Sequence, residues 1–319
     1  MFLKKLCFLC VVLLGFISFN IQAKPMDVYV GIYVNDIINV DLKTNTYNAD
    51  FYLWFRWQGD RDPSDTFEFV NSYEMWGHTA SKLYETPKVI NGWKHQTLRI
   101  SGNFHHPFLL KDYPLDEQKI IIEIEDTIND QTKIRYIADA NESQFRKDIV
   151  IPGWTIESGL AHTFSHRYPT SFGERTPANE DAYWRFQYEM EISRPKQLYL
   201  FKMLLPIIIV LLCTFIIFFI NPLYADSRLA VAITALVSAV ALQLTIASDL
   251  PSVGYLVLID KIYNLSYLAI FFALAESVTT IYLKDNDRLQ LAQKLDRITL
   301  LSLSVVYVTL CSIIIFCRG

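Results

Sequence analysis

Hydrophobic positions recur along this chain in two different rhythms. Up to about residue 194 they come every second residue, in short runs. Val28, Val30, Ile32 and Val34 alternate with Tyr29, Gly31, Tyr33 and Asn35. Phe51, Leu53, Phe55 and Trp57 do the same against Tyr52, Trp54 and Arg56, and Ile120, Ile122 and Ile124 against Lys119, Ile121 and Glu123. Trp184, Phe186, Tyr188, Met190 and Ile192 form a last such run. Successive side chains of a strand point to opposite faces, so each run predicts a half-buried strand. Gln58-Gly59-Asp60 and the polar stretch 127–131 supply turns. The pattern predicts an antiparallel β-sandwich over residues 24–194.

Beyond Arg194 the rhythm gives way to long apolar stretches. Four spans are expected at about 199–220, 227–248, 255–283 and 298–317, within a membrane domain 195–319. A bilayer core of about 30 Å needs about 20 apolar residues of helix, which each stretch approaches or exceeds. Composition agrees: 52% of residues are hydrophobic and the mean hydropathy is +0.21. Lys4 and Lys5, the apolar stretch 7–19 and small Ala23 read as an export signal over 1–23, with a retained membrane anchor as the open alternative. An exported domain followed by four spans leaves the loop between the third and fourth spans inside. That loop carries Lys284, Arg288, Lys294 and Arg297, the excess of cations expected on the inner side.

Charge and cysteine usage exclude several classes. A formal net charge of −4 offers no basic surplus for a nucleic-acid partner. The cysteines Cys7, Cys10, Cys213, Cys311 and Cys317 all fall outside 24–194, so neither a disulfide framework nor a zinc site is expected there. No nucleophile–base spacing, metal motif or phosphate loop is present, so no catalytic residue, metal or cofactor is expected.

The second span has an ordered stripe. Asp226, Ala230, Thr234, Val237, Ala241, Leu244 and Ser248 recur at steps of three and four and share one helical face. Repeated around an axis, that order of acid, hydroxyl, apolar residues and hydroxyl suits a pore with a carboxylate ring at its inner mouth. A second reading stands beside it: Asp226 as a helix N-cap, with Thr234 and Ser238 bonding helix carbonyls.

The segment from His106 to Ile120 contains Tyr113-Pro114-Leu115-Asp116-Glu117-Gln118. It resembles the signature loop of Cys-loop receptors, with His106 and Ile120 at the two cysteine positions. The departure excludes the loop disulfide and is similar to the bacterial branch, the bacterial pentameric ligand-gated ion channels. Arg194 followed by Pro206, the Leu250-Pro251 linker and the short inner loop also resemble that branch, so the resemblance covers nearly the whole mature chain. It implies a homopentamer in the lipid of the bacterial inner membrane, with the sandwich and the C-terminus in the periplasm. It implies agonist pockets between neighbouring sandwiches, for a small molecule such as an amine or for protons, and a pore lined by the second span.

By that resemblance Tyr33, Tyr52, Glu125, Tyr168 and Tyr183 are candidates for a cation-binding aromatic cage, against the alternative of ordinary packing. Thr127 stands where a cage aromatic is expected. Lys43, Tyr113, Pro114, Asp116, Arg194, Leu250 and Pro251 are candidates for coupling the sandwich to the pore, with Asp116 and Arg194 as a charge pair that either transmits movement or only holds the domains together. Asp226 favours monovalent cations as the permeant ions. An anion-selective relative and a non-conducting membrane-anchored sensor are the alternatives.

Overall fold

The computed structural model describes residues 24–74, 76–170, 173 and 182–316; the stretch 1–23 lies outside them. The alternating runs become β1 (Met26–Asp41), β2 (Thr46–Trp57), β3 (Phe67–Phe69), β4 (His78–Lys82), β5 (Lys88–Ile90), β6 (Trp93–His105), β7 (Glu117–Asp126), β8 (Ile134–Ala138), β9 (Gln144–Phe145), β10 (Thr155–Arg167) and β11 (Ala182–Ser193). One sheet runs β4-β6-β2-β1-β8, with β5 beside β6 and β9 beside β1; the other runs β10-β11-β7-β3. The pairing is antiparallel except that β8 and β9 run parallel to β1.

The alternation places the core. Val28, Val30, Ile32, Val34, Phe51, Leu53 and Phe55 of the first sheet are fully buried, facing Ile122, Ile124, Phe186, Tyr188 and Met190 of the second. Each such aliphatic side chain contributes about 1.5–3 kcal/mol on burial. Aromatic rings stitch the two sheets together. Phe69 of β3 meets Phe51 of β2 edge-on at 5.8 Å and Phe104 of β6 at 5.3 Å.

The apolar half forms α1 (Lys196–Phe215), continued by a 3₁₀ turn (Ile216–Phe219), then α2 (Ala225–Ala247), α3 (Leu258–Asp285) and α4 (Leu289–Phe316). These four helices are long and apolar enough to cross a membrane. Helix α4 starts well before the apolar stretch that announces it, because Gln290, Gln293, Lys294 and Arg297 extend the helix through polar sequence. The chain therefore combines an N-terminal β domain with four apolar helices.

Phe104 is fully buried between three aromatic partners, Tyr47, Phe51 and Phe69. Phe104→Ala is expected to cost about 3–5 kcal/mol of β-domain stability. A thermal unfolding midpoint equal to that of the unaltered protein would show that the ring does not bridge the sheets.

Candidate functional site

The two halves meet around Arg194, the residue between the last strand and the first helix. Its Nε donates to Asp116 Oδ1 at 2.8 Å, and both side chains are almost wholly buried, at 6% and 2% exposed. Three rings surround the guanidinium: Trp154 at 4.1 Å, Tyr113 at 4.8 Å and Tyr199 at 5.0 Å. They come from the segment before β10, the β6–β7 loop and α1, so one cation gathers three separate stretches of chain. Cation–π contacts of this kind strengthen when desolvated. Gln118 Nε2 holds the second oxygen of Asp116 at 2.6 Å. The aromatic face also explains Gly153, whose φ is +82° and where a Cβ would stand 2.7 Å from the Tyr199 hydroxyl.

The β6–β7 loop also completes α3. The first turn of a helix leaves its N–H groups without helical partners. Here Leu258 N donates to Lys111 O at 2.9 Å and Ile259 N to Tyr113 O at 3.2 Å, while Leu110 N donates to the Tyr255 hydroxyl at 3.0 Å. The Tyr113–Pro114 bond in this loop is cis. On the other side of Arg194, the β1–β2 turn with Lys43 shares a cleft of about 630 Å³ with Trp154, Tyr199 and Asp249. Leu250 packs against the core next to it, and Pro251 follows in the half-buried linker. The candidate coupling residues are thus neighbours in the fold.

The five cage candidates fall into two groups on different sheets. Tyr33 and Tyr52 are directly opposed across β1 and β2, with the Arg99 guanidinium 5.9 Å from the Tyr52 ring. Tyr168, Tyr183 and Glu125 gather on the outer face of the other sheet, where the two tyrosines meet edge-on at 6.1 Å. Glu125 is 3% exposed, and Arg185 grips it through Nη2 at 2.9 Å and Nε at 3.1 Å. The Tyr168 hydroxyl donates to the same carboxylate. Strand register causes this, because Phe186 opposite Ile124 sets Arg185 beside Glu125.

Two further carboxylates crowd the same arginine. Glu68 is the cross-strand partner of Glu125, and Glu123 lies 3.5 Å from Arg185 Nη1. Burial pushes Glu123 above its ordinary 4.5, against the pull of Arg185. Burial and then the Glu125 charge push Glu68 up as well. The Tyr168 hydroxyl rises to about 12, through burial first and then its bond to Glu125. His166, edge-on to Tyr168 at 4.7 Å, completes the group.

Helix α2 sorts its faces cleanly. Asp226, Ala230, Thr234, Val237, Ala241, Leu244 and Ser248 are all exposed in the single chain, while Arg228, Ala232, Ala235 and Ala239 are buried against the other helices. Val237 and Leu244 are 63% and 66% exposed, leaving large apolar side chains uncovered by the rest of the described chain. Tyr224 occupies the N-cap, and Asp226 sits within the first turn. Thr234 and Ala230 also edge a groove against Ile209, Val210 and Cys213 of α1, and the Ser248 hydroxyl bonds the Thr245 carbonyl at 2.7 Å.

The proton-gated ion channel of Gloeobacter violaceus is similar to this chain, 24% identical over 303 residues that cover 90% of this chain and 82% of that protein. The chain is a homologue of a proton-gated ion channel. No family model matches it. The similarity runs through the β domain, the Arg194 junction and the four helices of this channel homologue alike, since it spans nine-tenths of the chain.

Several residues that shape these sites escape a reading of the sequence. Arg185 reads as an ordinary outward polar residue of β11 until the register is known. Trp154 and Tyr199 carry no motif. Only their large aromatic area in segments flanking Arg194 hints at a cation box. Removing one partner of a buried pair strands the other's charge at about 3–5 kcal/mol. Asp116→Ala should therefore cost that much and lower the midpoint of thermal unfolding, with Arg194→Ala matching it in size. A loss of under about 1 kcal/mol, as for exposed pairs, would remove the pair from the interactions that hold the junction.

Proposed function

We propose that the chain is one subunit of a homopentameric, cation-conducting channel of the bacterial inner membrane, with its β domain in the periplasm. The observation that carries this reading is the face of α2 that its own subunit leaves uncovered, with an acid at its start and apolar Val237 and Leu244 further along. Five copies facing an axis would cover that stripe, set a carboxylate ring at one mouth and form an apolar constriction able to close by dewetting. Arg228 lies off the stripe and fully buried, so its charge does not offset the ring.

Protons fit the sensor better than an amine does. The carboxylate expected to draw a cationic ligand is already neutralised by Arg185. Three carboxylates share that one arginine, and Glu123 and Glu68 are held above their ordinary values. A carboxyl raised in the fold takes up a proton on acidification before it does in the unfolded chain. Its charge is thus unfavourable at neutral pH, and that penalty is relieved as pH falls through the raised value. Acidification discharges Glu123 and leaves Arg185 to Glu125 and Tyr168, tightening β11 against β7. The Gloeobacter relative is itself a proton-gated channel.

Two measurements test this. In a sodium chloride gradient the reversal potential should follow sodium, shift toward zero in Asp226→Ala and fall further or reverse in Asp226→Lys. A wild-type reversal potential that tracks chloride would sink the ring. Glu123→Gln mimics the protonated acid and should move half-activation to higher external pH by about one unit, the scale of a perturbed carboxylate. An unchanged activation curve would take Glu123 out of the sensor.

A further inference from the structure

At the end of the bundle far from the β domain lies a group of charges that the pore, the junction and the sensor do not use. Arg228, at the start of α2, is 0% exposed. Its Nη2 donates to Asp296 Oδ2 of α4 at 2.8 Å and its Nη1 to Thr280 Oγ1 of α3 at 2.8 Å. Its Nε and Nη2 both reach the Ile220 carbonyl, just past α1, at 2.8 and 2.6 Å. One side chain therefore ties all four helices together where the pore helix begins.

The same pocket holds a second acid. Glu276 of α3 is buried, and its carboxyl lies within hydrogen-bonding reach of Asp296. Neither Glu276 oxygen, nor Asp296 Oδ1, has a hydrogen-bond donor. Two buried carboxylates and one guanidinium leave a negative charge uncompensated in a setting where unpaired charge is most costly. Like-charged acids at such range do not both ionise; they share a proton. A single proton between a Glu276 oxygen and Asp296 Oδ1 supplies the missing donor and brings the cluster to neutrality.

Among the described residues nothing else nearby does so. The segment Lys196–Phe219 contributes only the neighbouring Ile220 carbonyl, since its Lys196, Tyr199 and Lys202 lie at the opposite end. On α3, Lys284 is taken by Asp285 at 2.5 Å. On α4, Lys294 and Arg297 face outward, and on α2 Asp226 is exposed on the opposite face.

We propose that Glu276 and Asp296 form a proton-binding site that holds one shared proton, and that its release toward the α3–α4 loop side loosens α4 and α3 from the base of the pore helix. Release leaves two carboxylates against Arg228, and their repulsion falls on the contact between α3 and α4. The site answers pH on the side opposite the sensor, so it acts independently of Glu123.

Infrared spectroscopy of the full-length protein in lipid vesicles reads the proton without requiring conduction. At neutral pH the wild type should show the carbonyl stretch of a protonated carboxyl. Glu276→Gln should lose that band, and Glu276→Asp should keep it. In the same vesicles, stepping the inner-side pH from neutral to alkaline should change wild-type current several-fold. Glu276→Gln should not respond, while its activation by external acid stays as in the wild type. A wild-type spectrum without the band, a band that survives in Glu276→Gln, or an equal inner-pH response in both proteins would each overturn the proposal. Should Glu276→Gln fail to assemble, loss of the wild-type band on inner alkalinisation supports the site and its persistence refutes it. A missing band leaves the external proton response and the sodium selectivity untouched, so this site and the channel reading fail separately.

Discussion

A single buried cation, Arg194, is the constraint on which the junction depends. A guanidinium removed from water needs a counter-charge and donors' partners close by, or its burial is prohibitive. Asp116 supplies the charge, and the rings of Tyr113, Trp154 and Tyr199 supply polarisable faces. Because these groups arrive from a strand loop, a pre-strand segment and a membrane-directed helix, enclosing one residue fixes where the β domain stands on the bundle. The acid is itself positioned by Gln118, whose side chain also holds both the N–H and the carbonyl of Leu109. Loop shape and charge placement are therefore one problem with one solution.

A contrast of charges organises α2 in the same way. The first turn of one helix carries an acid turned outward and, two residues on, an arginine turned inward. Exchange of their roles would place a cation on the exposed face and leave Asp296 buried without its arginine. The buried face is otherwise alanine, which lets the neighbouring helices approach closely. The exposed face carries the bulk of Val237 and Leu244.

Sequence reading recovers what depends on period. The alternation in β1 and β2 marks the inward residues correctly, because a strand buried on one face has little freedom in which positions are apolar. The apolar stretches mark the helices, and the stripe on α2 emerges from spacing alone. What escapes depends on register between distant segments. Arg185 and Glu125 are 60 positions apart, and Arg228 and Asp296 are 68 apart. No local pattern announces either pair. The parallel docking of β8 and β9 on β1 is hidden for the same reason, and so is the pairing of Glu125 with Arg185. The polar start of α4 escapes hydropathy because helix formation there needs no apolar run.

The seam between loop and α3 is made of main-chain carbonyls. Lys111 and Tyr113 serve Leu258 and Ile259 through their backbones, so the bonds survive a change of side chain at Lys111. A change of loop length is another matter, since one residue more or fewer would carry the carbonyls out of register with the helix start. Across diverging copies of such a protein, exposed Lys111 should accept substitution freely, while the stretch from it to Tyr113 admits no insertion or deletion. It acts as a ruler whose length is fixed.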